Sequence, residues 1–186
     1  MLAGAVRFNI YLVLALALVS NAGCRSAGSG RGKPVATLRV HVEAAPEEAR
    51  MSREISLFRS NPLSLRVQRV PLLDEASVAE ARVVEDALGG FALEIQLNTH
   101  GTMLLEQATA THGGRRLAIF SEFGKKLSNA RWLAAPLIQR RVENGLLRFT
   151  PDATREEAEQ IAAGLNRVAE KLGHRERPGK RKPSTD

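Results

Sequence analysis

Residues 154–173 read TREEAEQIAAGLNRVAEKLG, and the fold follows from them. Thr154 with Glu157 three residues later is a capping box, in which each side chain accepts a hydrogen bond from an otherwise unpaired backbone N–H at a helix start. Ala158, Ile161, Ala162, Leu165, Val168, Ala169 and Leu172 then recur at spacings of three and four, which makes one apolar stripe. Gly173 closes the helix. Gly164 costs such a helix about 1 kcal/mol against alanine, which points to close approach of a strand there. A helix that is apolar along one side needs a sheet to lie on, and the residues before it supply the strands.

Leu38, Val40 and Val42 alternate with Thr37, Arg39 and His41, predicting a half-buried strand over 37–43 with His41 on its solvated face. Ile55–Leu57 and Leu63–Leu65–Val67 repeat the alternation on either side of the turn residues Ser60–Asn61–Pro62. Asp74 to Ala81 reads as a short helix. Val83–Val84 and Phe91–Leu93–Ile95–Leu97 flank Gly89–Gly90, the signature of a tight hairpin. Thr102 to Thr111 is helical, with Leu104, Leu105 and Ala108 available to pack and Gly113–Gly114 ending it. Leu117, Ile119 and Phe123 give a further strand, followed by a polar loop over 121–130. Trp132 to Ile138 is a strand broken at Pro136, which cannot donate to a ladder. Gly145 then turns the chain into a last strand, Leu146 to Phe149. The expected class is α+β, a two-layer sandwich of an antiparallel sheet with helices packed on one face. The 138 residues from Val35 to Leu172 are the size of one domain with one core.

The order of residues from Leu97 to Leu165 resembles a known family, the head subdomain of the first periplasmic (P1) domain of SecD, a component of the Sec export machinery. The matching residues are Gly114-Arg115-Arg116-Leu117-Ala118-Ile119, then Ala135-Pro136-Leu137-Ile138, then Phe149 and Thr154-Arg155-Glu156-Glu157-Ala158 with Leu165. The resemblance extends over 37–172, its specific motifs lying in the second half. Two departures stand out: the family's short hairpin after Leu-Ala-Ile is replaced by the longer Ser121 to Ala130, and four residues (TPDA) separate Phe149 from Thr154. The family's transmembrane helices have no counterpart in this sequence, so the resemblance implies a binding head and carries over no proton-driven translocation.

The first 24 residues indicate where such a head works. Arg7, the uncharged run Ile10 to Val19 and the small residues Ala22–Gly23 form an export signal. Cys24, the only cysteine, directly follows Ala22–Gly23 and resembles a bacterial lipobox, although Asn21 stands where an aliphatic residue is usual. The apolar run is about half the roughly 20 residues that a bilayer-spanning helix needs. Ordinary secretion with cleavage near Ala22 would leave Cys24 as a stray thiol. The organisation is therefore read as a signal peptide over 1–23, a lipidated (palmitate-bearing) Cys24 with a Gly/Ser-rich tether over 24–34, the head-like domain over 35–172, and a basic tail over 173–186. The expected location is the cell envelope, anchored to membrane and facing the periplasm. An Arg after the Cys favours the outer membrane by resemblance to sorting signals.

The net charge of +7 belongs to the ends. Val35 to Leu172 holds 18 Lys or Arg against 18 Asp or Glu, whereas the tether carries Arg25, Arg31 and Lys33 and the tail five basic against two acidic residues. A neutral domain is a poor match to nucleic acid, which calls for a basic face. Cations on a tether and tail suit anionic lipid or envelope polymer, or are simply solvated.

Catalytic chemistry finds little footing. His41, His100, His112 and His174 are isolated, with no zinc-type spacing, and no Cys remains for nucleophilic work. Gly113–Gly114 precedes a strand rather than a helix, and Glu156–Glu157 is explained by capping. The expectation is no enzyme, no cofactor and no metal. The candidate partner contact is Phe123, Trp132 and Leu133, at an edge broken by Pro136 where an extended peptide could add as a strand; the competing reading of Trp132 is a packing residue. Two partner classes follow: exported polypeptides or an envelope complex bound by a Sec-like head, or one folded partner of a structural lipoprotein that reuses the fold.

Overall fold

Strand β8 (Leu117–Gly124) organises the architecture, because it is paired on both edges. The computed structural model describes residues 35–86 and 89–174. The signal peptide, Cys24 with its tether, and the tail beyond His174 lie outside the described residues. On one edge of β8 lie β1 (Val35–Ala36) and β2 (Arg39–Val42), and β2 carries β5 (Leu73–Asp74) beyond it. On the other edge lies β9 (Asn129–Ala134), so Phe123 is opposite both Ala36 and Asn129. A second antiparallel sheet runs β10 (Leu146–Phe149), β7 (Phe91–Leu97), β6 (Val78–Glu85). Strands β3 (Ser52–Leu57) and β4 (Leu63–Gln68) pair only with each other as strands. The class is α+β, with curled antiparallel sheets and helix packed against them.

Two helices complete it: α1 (Thr99–Thr111) and α2 (Arg155–Leu172). Thr154 and Glu157 form the expected capping box, and Gly173 ends α2 in the left-handed conformation (φ +78°). The buried side of α2 is Ala158, Ile161, Ala162, Gly164, Leu165 and Ala169, whereas Leu172 is exposed. Ile161, Ala162 and Leu165 join Leu38, Val40, Val42, Leu93, Ile95, Ile119 and Phe123 in one core between the sheets. Gly164 makes this contact possible. A Cβ at this position would lie 2.6 Å from both the Cβ and the backbone N of Ala36, so α2 rests directly on the β1 backbone. Asn166 then fastens α2 to β6, its amide accepting from the Ala81 N–H and donating to the Ala81 carbonyl, both at 2.8 Å. No helix among the described residues is long and apolar enough to cross a membrane.

Three local expectations are corrected. The helix expected over 74–81 is one 3₁₀ turn, Glu75–Ser77, started by the Asp74 side chain accepting from the Ala76 N–H. Its start signal is real, but Val78 and Ala81 are buried and pair with β7, and that tertiary pairing outweighs local propensity. The polar loop expected over 121–130 is mostly strand, and only 125–128 form the turn. Ser121 is fully buried, its hydroxyl donating to the Thr37 carbonyl at 2.8 Å, which lets a polar residue continue an inward-facing strand. Helix α1 begins earlier than Thr102, because Asn98 caps it by accepting from the Gly101 N–H.

Replacing Gly164 by Ala is expected to destabilise the fold by about 1–3 kcal/mol through overpacking, despite alanine's better helix propensity. Chemical denaturation of the two proteins measures this; an equal or higher midpoint for Gly164→Ala would refute the backbone contact.

Candidate functional site

Alternation along β8 sends Leu117, Ile119 and Phe123 into the main core, leaving Ala118 and Phe120 on the opposite face. That second face is covered by the β3–β4 hairpin. Ile55 and Leu57 of β3 and Leu65 and Val67 of β4 pack on Ala118, Ala135 and the half-buried Trp132, forming a small apolar cluster of their own. The hairpin's other side carries Glu54, Ser56, Ser64 and Arg66, all exposed.

Trp132 lies at the seam where the hairpin ends and the open sheet face begins. Its ring centroid is 5.1 Å from that of Phe120, which is also half-buried, and 5.5 Å from the His41 ring in an edge-on arrangement. The Arg53 guanidinium sits over the indole at 5.3 Å, within cation–π range. The structure thus brings two aromatic faces and a cation together at a partly open edge. Arg53 is absent from the ion pairs found among the described residues.

His41 corrects the expectation of a solvated histidine: it is 2% exposed. The alternation placed it correctly, on the face away from the main core, but the hairpin covers that face too. Its Nδ1–H donates to the Gln68 carbonyl at 2.8 Å, leaving Nε2 as the acceptor 3.5 Å from Arg53 Nη2. Burial pushes the His41 pKa below the ordinary 6.5, the Gln68 hydrogen bond opposes this, and the charges of Arg53 and Arg39 lower it further.

The sequence-predicted contact residues separate. Phe123 and Leu133 are fully buried in the main core, so neither offers surface to a partner. Trp132 alone of the three reaches the surface, and it also packs on the hairpin. Cys24 lies outside the described residues. Phe120, Arg53 and His41 were missed, and one signal could have found them. The alternations at 52–57 and 63–67 leave Ile55, Leu57, Leu65 and Val67 on one side of a hairpin, and such a side requires a second surface to cover.

The loop before α2 finishes the site. Arg59, just beyond β3, donates from its backbone N–H and guanidinium to Asp152 at 3.1–3.3 Å. The Asp152 N–H donates to the Leu133 carbonyl of β9 at 2.7 Å, and its own carbonyl accepts from Arg131 at 3.0 Å. Burial raises the Asp152 pKa, but the Arg59 hydrogen bonds and the charges of Arg59 and Arg131 outweigh it and hold the carboxyl low. Glu157 is held low as well, first by Arg131, against burial and with help from the Thr154 N–H. No strand pairs with β9 on its outer side among the described residues.

Chemically, the seam offers stacking, apolar contact and a cation, and among the described residues no three His, Cys, Asp or Glu side chains gather as metal ligands. The profile of the SecDF P1 head subdomain family matches residues 32–169. A SecDF structure, described as that of a membrane component that enhances protein export, is 22% identical with a TM-score of 0.52; the match covers 72% of this chain and 63% of that one. SecDF in a super-membrane-facing form is 23% identical with a TM-score of 0.51, covering 70% of this chain and 18% of the other. At these identities the likeness concerns the fold. Comparison with curated proteins finds no match.

The His41 environment has a measurable consequence. Between its lowered folded pKa and the unfolded value of 6.5, the unfolded chain binds a proton that the folded chain does not, so stability is complete above 6.5 and is lost as pH falls toward the folded value. Asp152 and Glu157 add losses only in more acid solution, as their carboxylates protonate. Denaturation midpoints between pH 7 and 5 should therefore fall for the native chain and stay nearly level for His41→Gln; parallel curves would refute this account of His41.

Proposed function

Because this chain belongs to the SecDF P1 head subdomain family, we propose that it is a non-enzymatic binding module of the cell envelope, held to membrane by a lipid at Cys24, and that it contacts exported polypeptides. The observation that supports this most directly is the half-exposed Trp132–Phe120 pair, beside a β9 edge that carries no second strand among the described residues and whose Leu133 carbonyl is taken by the Asp152 N–H. An aromatic surface of this kind suits an extended chain, whose alternate side chains find apolar contact on it. The chain spans about 63% of the length of the SecDF chain described as enhancing protein export, so that protein's action in export is extended to this one only as part of the proposal. The other reading is a structural lipoprotein with one folded envelope partner.

Photo-crosslinking in cells separates the two, with a photoreactive residue at Trp132 or Phe120 and none at the buried Phe123. A spread of exported polypeptides or Sec components among the adducts is expected. One dominant folded envelope protein would replace the polypeptide reading with the structural one.

Anchoring has its own check. Growth with labelled palmitate should label the native chain and leave Cys24→Ser unlabelled and released from washed membranes. A native chain that takes up no label would remove the lipid from the proposal.

A further inference from the structure

The β3–β4 hairpin is joined to the rest of the domain chiefly at its two ends. At its base, Glu43 bridges to Val67, the Ala44 N–H donates to the Arg66 carbonyl at 2.9 Å, and His41 donates to the Gln68 carbonyl. Near its tip, Arg59 clasps Asp152. Between these ends only side chains touch the sheet. The floor beneath them is shallow, since Ala118 and Ala135 contribute one methyl each and Trp132 forms the remaining wall. A two-stranded hairpin has little stability of its own, and this one keeps its place through that floor and the Arg59 clasp. Phe58, next to the clasp, holds φ +61° and is exposed.

The floor therefore already accommodates an extended segment with apolar residues at alternate positions, Ile55 and Leu57 on one strand and Leu65 and Val67 on the other. We propose that the hairpin is the resident occupant of a peptide site, and that it lifts at the Arg59–Asp152 clasp to let an extended apolar segment of a non-native polypeptide lie on Ala118, Ala135 and Trp132. The proposal rests on the binding-module reading and specifies its ligand: alternating apolar side chains that a folded partner would have buried.

The test uses the full chain, its Asp152→Ala and Asp152→Asn variants, and a fluorescent, carboxymethylated polypeptide that cannot fold. Loosening the clasp populates the open form, so both variants should bind this probe more tightly than the native chain, by about tenfold for Asp152→Ala. Hydrogen exchange read by mass spectrometry should show amides over 52–68 exchanging faster when the probe is bound, the reverse of ordinary ligand protection. Binding with unchanged or slower exchange over 52–68 would overturn the displacement and leave the binding-module reading intact. A variant that dimerises instead of gaining affinity would mean that the floor takes the hairpin of a second copy, which also overturns the proposal. No binding by the native chain or either variant would remove the polypeptide reading itself.

Discussion

Strand β8 carries apolar side chains on both of its faces, and the rest of the domain is arranged around that constraint. Leu117, Ile119 and Phe123 point into the core beneath α2, whereas Ala118 points the other way into the hairpin cluster. The two faces are built differently. The core face carries large side chains that meet Ile161 and Leu165, and it tolerates a backbone-to-backbone approach at Gly164. Across from it, the hairpin face carries alanines and one tryptophan and is held by a few bonds at its ends. Burial scales with the apolar area removed from water, so the first face accounts for most of the domain's stability. The second contributes less and is therefore the easier one to open.

Polar groups near the main core are of both kinds. The Ser121 hydroxyl on the Thr37 carbonyl and the Asn166 amide on the backbone of Ala81 are satisfied without charge, whereas Glu94 pairs with Arg82 and the Leu38 N–H donates to Glu75. Around the hairpin they are ionic or titratable, as in the Arg59–Asp152 clasp and His41 beneath Arg53. Buried neutral hydrogen bonds fix a single geometry. Partly exposed ion pairs contribute modestly to stability and respond to salt and acid.

Much of the architecture was legible because it rests on local signals. The α2 capping box, its apolar stripe, Gly164 at a close approach, the Gly89–Gly90 hairpin and the alternating strands each state their own structure within a few residues. The misreadings share a different cause. Asp74 starts a helical turn that pairing with β7 cuts short, Ser121 belongs to a strand because Thr37 receives its hydroxyl, and His41 is buried because a distant hairpin covers it. In each case the deciding contact lies far away in sequence, and alternation can say which residues share a face but not whether that face stays open.

The candidate site divides along the same line. Sequence by itself determined that this chain carries a P1-head-like α+β domain, since local periodicity, caps and ordered motifs are properties of neighbouring residues. It also singled out Trp132 at an edge. Only the tertiary structure decided that Phe123 and Leu133 are core, that Phe120, Arg53 and His41 surround Trp132, and that a hairpin lies across the sheet's second face. The physical reason is that burial depends on what folds back over a surface, and that is set by packing between segments far apart in the chain.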